Sequence, residues 1–283
     1  MLNIEKTTIK IGLSRPLRVL HITDNHLPLC DERDDERKQA IAARKADKCD
    51  EMAAYLNEEV AYAEEKCDLI VHSGDLIDFV SKANVDFARE LLKKEKILFI
   101  AGNHDYSQYV GEAWEDMNYR MNGYMSMGYN GSGLGVDMFF TSRVVGNVNF
   151  VGIDDAYHQV DDWQTTRLRM EVAKGLPVVL FLHAPLFEQS LYERSIEFWK
   201  DGSAYVVGCD EAHLLSYPEF RAMEQRPTDA TKRFVEYVNS EPQIKAVLAG
   251  HLHFSFESKL PGGAMQYVTG RGDRGCAREI IFR

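Results

Sequence analysis

Five times along this chain a short apolar run stops at a cluster of Asp, Asn or His. Leu17–Thr23 leads into Asp24-Asn25-His26, Leu69–His72 into Gly74-Asp75-Leu76-Ile77-Asp78, and Ile97–Ala101 into Gly102-Asn103-His104-Asp105. Val178–Leu182 leads into His183-Ala184-Pro185, and Ile244–Ala249 into Gly250-His251-Leu252-His253. The runs have the length and the β-branched and aromatic content of strands. In open α/β sheets, ligands gather beyond the carboxyl ends of the strands. The fold must therefore be one that can bring five polar strand ends to a common point.

The remaining pattern agrees with such a fold. Further β-type runs are Thr8–Ile11, Met138–Val144, Val148–Ile153, Phe254–Lys259, Met265–Thr269 and Glu279–Phe282, with Gly146-Asn147 reading as a hairpin turn. Cys49, Met52, Leu56, Val60, Ala63 and Cys67 form one apolar stripe, which predicts a long helix over about residues 35–66. Residues 83–94, 161–174 and 228–239 read as further helices. Strands alternating with helices early, then a late run of strands, predict an α/β fold with mixed sheets. In 283 residues there is no repeat, low-complexity tract or Pro/Ser-rich linker, so residues 1–283 read as one domain. Two stretches resist assignment, 117–137 and 186–225, and read as irregular insertions over a site.

Charge narrows the partners. Lys and Arg number 33 against 44 Asp and Glu, a net of −11. Nonspecific nucleic-acid binding, which depends on neutralising phosphates, has the wrong sign here. A small anionic substrate remains open if local positive charge, such as bound metal ions, overcomes the repulsion. The longest apolar runs, Ile97–Ala101 and Val178–Leu182, fall far short of the ~20 residues a membrane span needs. The five cysteines have no CxxC spacing, and the first residues lack a basic stretch followed by an apolar one. The expected location is the cytoplasm.

The polar clusters suit metal binding. Asp-x-His and His-x-His place donors on alternate residues, which share a face if the backbone is extended. The glycines before Asp75, Asn103 and His251 would let the chain turn sharply as it leaves the sheet. Imidazole, carboxylate and amide donors without thiolate suit Mn, Fe, Zn or Mg.

Taken together, Asp24-x-His26, Gly74-Asp75-x-x-Asp78, Gly102-Asn103-His104-Asp105, His183-Ala-Pro and Gly250-His251-x-His253 resemble the signature of the calcineurin-like metallophosphoesterases, in the family's order from residue 17 to about 253. The resemblance implies two packed, mainly mixed β-sheets flanked by helices, and two divalent metal ions. Asp24, His26, Asp75 and His253 would hold the first ion. Asp75 would bridge to the second, completed by Asn103, His183 and His251. His104 would act on the leaving oxygen or steady the charged transition state, Asp105 would orient its ring, and Asp78 would support a ligand. Two ions so placed can clamp a phosphoryl group and activate water.

Subfamily patterns narrow this further. Purple acid phosphatases carry Tyr where this chain has Asp78. Protein Ser/Thr phosphatases follow that Asp with Arg-Gly and read Gly-Asn-His-Glu, whereas here Phe79-Val80 and Asp105 stand in those places. The expected function is hydrolysis of a small organic phosphodiester, with phosphomonoester hydrolysis, or a non-catalytic scaffold of the same fold, as alternatives. Other features take blander readings. His21 and His72 are core histidines, Cys30 an inert thiol, Asp31–Lys38 a solvated helix start, and Gly131-x-Gly133-x-Gly135 a lid or hairpin. Arg271-Gly-Asp273 is a tight turn, with Arg271 or Arg274 touching substrate as the other possibility. Tyr192, Phe198, Trp199 and Tyr205 either pack a small core of the second insertion or stack on substrate.

Overall fold

The structure, a computed structural model, describes residues 1–110, 116–128 and 133–283. Among these, eleven strands form two sheets. Strands β1 (Asn3–Ile9), β2 (Leu17–Ile22), β3 (Leu69–His72) and β4 (Ile97–Phe99) alternate with helices α1 (Glu36–Ala43), α2 (Ala46–Lys66) and α3 (Lys82–Leu91). Then come α4 (Met117–Ser126), β5 (Phe140–Val145), β6 (Val148–Ile153), α5 (Asp162–Val172) and β7 (Val178–Phe181). Helices α6 (Gln189–Trp199), α7 (Glu211–Leu214), α8 (Glu219–Gln225) and α9 (Asp229–Ser240) precede β8 (Ile244–Ala249), β9 (Phe256–Lys259), β10 (Met265–Val268) and β11 (Cys276–Phe282).

The first sheet has the order β1-β11-β2-β3-β4 and the second β5-β6-β7-β8-β10-β9. Both are mixed: β2, β3 and β4 run parallel while β11 opposes β2, and β6, β7 and β8 run parallel while β5 and β9 are antiparallel edges. Alternate side chains on each strand enter different cores. Val19, Leu69, Val71 and Leu98 meet Phe150, Val179, Phe181 and Leu248 between the sheets. Leu20, Ile22 and Ile70 point the other way, onto Leu56, Val60 and Ala63 of α2. Val178 and Leu180 pack outward on Leu168 of α5 and Phe234 of α9. Two sheets inside and helices outside give the four-layer α/β sandwich.

Register places the strand ends together. Ile22, His72 and Phe99 are neighbours across β2, β3 and β4, and Phe181 is opposite Leu248 across β7 and β8. The chain therefore leaves these five strands along a common rim in each sheet, just before the polar clusters.

Several local expectations change. The single helix over 35–66 is two, because the apolar stripe belongs to α2 alone. No residue of α1 is buried, and the chain breaks at Arg44-Lys45. β1 starts at Asn3 because it pairs in parallel with β11 along its whole length. The insertions are partly helical: among the described residues the first contains α4 and the second α6, α7 and α8. Their short helices are held by capping from Asp116, Glu188 and Asp210 and, in the second, by a separate core around Leu191, Val206 and Leu252. Residues 129–132, including Gly131 of the Gly131-x-Gly133-x-Gly135 stretch, lie outside the described residues. Gly146-Asn147 forms the hairpin turn with φ of +54° and +67°. Among the described residues no helix is long and apolar enough to cross a membrane.

Candidate metal centre

The loops at the rim are shaped by backbone strain. Asp24, His26, Asp75, His251 and His253 have φ of +55°, +47°, +54°, +67° and +62°. This left-handed region costs about 1–3 kcal/mol per non-glycine residue and persists only where surroundings enforce it. The expectation that Asp24 and His26, or His251 and His253, share a face of an extended segment is thus incorrect. Each donor is turned inward by its own left-handed kink. Hydrogen bonds hold these kinks: Asp24 N to Gly74 O at 3.0 Å, His26 N to Asp75 O at 2.9 Å, and His251 N to Asp24 Oδ2 at 3.0 Å. Gly74 has the expected turn conformation at φ +101°. Gly102 does not; it is needed because a Cβ there would strike the Asp75 carboxylate and the His183 ring.

The seven candidate ligands meet in two groups about Asp75. His26 Nε2 lies 3.1 Å from His253 Nε2 and 3.7 Å from Asp24 Oδ1, and His253 Nε2 is 3.3 Å from that same Asp24 oxygen. On the other side His183 Nε2 lies 3.0 Å from Asn103 Oδ1 and 3.1 Å from His251 Nδ1. Asp75 Oδ2 stands between, 3.6 Å from His26 Nε2 and 3.3 Å from His183 Nε2. Its other oxygen accepts from His104 N at 2.8 Å.

This donor set fits divalent cations. His183 Nδ1 faces the Ser73 carbonyl oxygen at 2.9 Å, so that nitrogen carries the proton and Nε2 presents a lone pair. The lone pair points at the acceptor oxygens of Asp75 and Asn103. Asp24 Oδ1, which faces His26 Nε2 and His253 Nε2, is buried without a good hydrogen bond among the described residues. Crowded acceptors of this kind call for positive charge. Burial works against protonation of His26, yet Asp24, Asp78 and Asp75 lift it to about 10. Burial likewise opposes a charge on His183, and Asp75 lifts it to about 10. Burial drives His251 well below the usual imidazole value, with His183 and His158 adding repulsion. Asp24, His26 and His253 could hold one ion, and Asp75, His183 and His251 another; His26, Asp75 and His104 form a third close group.

His104 is supported differently from expectation. Its Nδ1 lies 3.0 Å from the Asp78 carbonyl oxygen and 3.2 Å from Asp78 Oδ1. Asp105 does not orient the ring. Its carboxylate is spent on the amides of Asp75 (2.8 Å), Gly102 (2.8 Å) and Ile77 (3.0 Å), so it locks two loops together. Asp78 also reaches His26 Nδ1 at 3.5 Å and accepts from Lys45 Nζ at 2.7 Å. Burial would raise the Asp78 carboxyl, but His104 and His26 hold it far below the ordinary range.

A cavity of about 330 Å³ opens over this cluster, lined by Asp75, Asn103, His104, His251 and His253. Tyr119 of α4 and Trp199, Tyr205 and Arg221 of the second insertion also line it. Tyr192 instead packs within the insertion's own core. His21 and His72 are satisfied core residues, bonded to Thr269 and Ser73 and to Asn25. Arg271 is taken up by Asp273, and Cys30 sits half-buried against Asp34.

Sequence reasoning missed Lys45, Arg221 and Asp155. Asp155 Oδ1 accepts from the amides of His183 (2.9 Å) and Ala184 (3.2 Å) and so fixes the fourth loop. Its signal was present, since Asp154-Asp155 directly follows β6 as a sixth polar strand ending. Lys45 and Arg221 carry no local signal; one depends on a helix break and the other on how an insertion folds back.

An α/β sandwich with paired Asp/His clusters on its strand ends defines the class of dinuclear metal hydrolases. A family model for calcineurin-like phosphoesterases matches residues 17–255, and the chain belongs to that family. Solved structures of similar fold include a dimetal phosphatase from Danio rerio, at 13% identity, TM-score 0.47, covering 90% of this chain and 88% of that one. A phosphopantetheinyl hydrolase from Mycobacterium tuberculosis aligns at 13% identity and TM-score 0.39, covering 95% and 90%. A Staphylococcus aureus protein assigned as a 5′-nucleotidase aligns at 12% identity and TM-score 0.43, covering 91% of this chain; this chain spans 49% of its length. Comparison with curated proteins gives no match. The family assignment rests on the match over residues 17–255.

Proposed function

We propose that this phosphoesterase hydrolyses a small organic phosphodiester at two divalent metal ions that the two residue groups around Asp75 would hold. The observation that carries the reading is the position of Asp75 Oδ2 between His26 Nε2 and His183 Nε2, 3.6 and 3.3 Å away. Asp24, His26 and His253 complete one site, and Asn103, His183 and His251 the other. When bound, the two ions (Mn, Fe, Zn or Mg) supply charge neutralisation at the phosphoryl oxygens and lower the pKa of water toward ~7.

The chain's own groups do the rest. His104 Nδ1 donates to the Asp78 carbonyl, which leaves Nε2 for the substrate. Burial disfavours the charged ring, but Asp75 and Asp78 raise its pKa, so Nε2 can carry a proton to the leaving oxygen. Asp105 and Asp155 keep the loops rigid through backbone amides. The diester reading is supported by the cavity of about 330 Å³, whose lining extends past the metal cluster to Tyr119, Trp199, Tyr205 and Arg221 and so has room for more than a bare phosphoryl group. Monoester hydrolysis uses the same residues and is the competing reading.

The test is turnover of bis(4-nitrophenyl) phosphate and 4-nitrophenyl phosphate by protein loaded with Mn²⁺ and by metal-free protein. The proposal expects metal-dependent cleavage with the diester preferred. Preference for the monoester would shift the reading to a phosphomonoesterase, and inactivity on both with every metal would remove both.

A further inference from the structure

Among the described residues lining the cavity, Arg221 is the one with a permanent positive charge. It lies on α8, where Glu224 fixes its guanidinium at 2.8 Å. The Arg221 Cζ sits 5.0 Å from the Tyr205 ring centroid. Tyr205 in turn is 6.1 Å from His251 and 5.7 Å from Trp199, and Trp199 is 5.7 Å from His253. The two aromatic rings thus adjoin His251 and His253, the guanidinium adjoins Tyr205, and all of them line the same cavity.

Among the described residues Arg221 makes no ion pair with Asp24 or Asp75, the carboxylates of the metal cluster, and stands instead against Tyr205 and Glu224. The guanidinium therefore suits a different anionic group of the same molecule. The planar fork of Arg matches phosphate in a way a point charge does not. A flat ring can stack on Trp199 or Tyr205 between the two charges.

We propose that Arg221, Trp199 and Tyr205 form a subsite for a nucleobase-like ring and a second, terminal phosphate, so that the substrate class is a small phosphodiester carrying both. This rests on the metal-centre reading for where the scissile group sits.

The experiment compares binding of thymidylyl-(3′→5′)-thymidine with that of its 5′-phosphorylated form, in Mn²⁺-loaded His104→Ala protein to slow turnover. The same pair is measured after adding Arg221→Met, which keeps the stem over Tyr205, and Arg221→Lys, which keeps the charge. The added phosphate should tighten binding about tenfold or more in the parent. Arg221→Met should abolish that gain while binding of the unphosphorylated dinucleotide stays the same, and Arg221→Lys should recover part of it. No gain in the parent, a gain that survives Arg221→Met, or equal weakening of both dinucleotides would overturn the subsite. Manganese is counted in the same samples. Less than one ion per chain would defeat the metal-centre reading, whereas the subsite is judged on the ratio between the two dinucleotides.

Discussion

Lys45 Nζ donates to Asp78 Oδ2 across 2.7 Å, and this bond ties the break between α1 and α2 to the residue that pairs with His104 of the cavity lining. Asp78 is buried and pairs with His26, His104 and Lys45, of which Lys45 is the most exposed. Groups that orient a metal ligand are commonly worth 10–100-fold in metal affinity or activity. Asp78→Asn should therefore lower turnover by roughly that factor. Lys45→Met should lower it less, because the lysine is partly exposed and water can replace it. Steady-state kinetics on both variants checks the order; a larger loss in the lysine variant would show that Asp78 is not the mediator.

His104→Ala should retain two bound ions per chain while kcat falls by about 10²–10⁴-fold, the usual worth of a positioned proton donor. The close group of His26, Asp75 and His104 makes this a sharp test. Elemental analysis of the variant decides it, since loss of an ion would assign His104 to the metal centre.

Asp75→Asn removes the charge on the oxygen that both halves of the cluster share. Both sites should weaken together, so that after metal loading the variant holds fewer than one ion where the wild type holds two. Loss of a single ion, with the other at full affinity, would place Asp75 on one side only.

Much of this site was legible before any coordinates. The five polar strand endings named every residue that now surrounds Asp75, because parallel strands in register must release their chains at one rim. What stayed hidden was set by packing over long distances. Asp78, not Asp105, stands at the His104 ring, since the Asp105 carboxylate is consumed by three amides that no local pattern reveals. The left-handed conformations of Asp24 and His251 are imposed by neighbouring loops, so residue spacing misread them as extended. Helices α7 and α8 escaped notice because they span only four and seven residues, and α6 because its buried positions mix Leu191 with Ser195 while Phe198 lies exposed.

Glu59 gives a prediction independent of metal chemistry. It lies fully buried on α2, accepts from Asn25 Nδ2 at 3.0 Å, and its Oε1 has no hydrogen-bond partner among the described residues. Burial pushes its carboxyl well above the usual 4.5, and Asn25 only partly offsets that. The folded protein therefore keeps a proton that the unfolded chain gives up near its ordinary value. Stability from this group is fully present below pH ~4.5 and declines as pH rises toward the folded pKa, because the unfolded state then binds fewer protons. Glu59→Gln copies the protonated form and has no proton to lose. Thermal unfolding at fixed Mn²⁺ should show the variant close to wild type at pH 4 and more stable than wild type at pH 8. A variant less stable at pH 8 than at pH 4, relative to wild type, would mean that Glu59 is folded as the carboxylate.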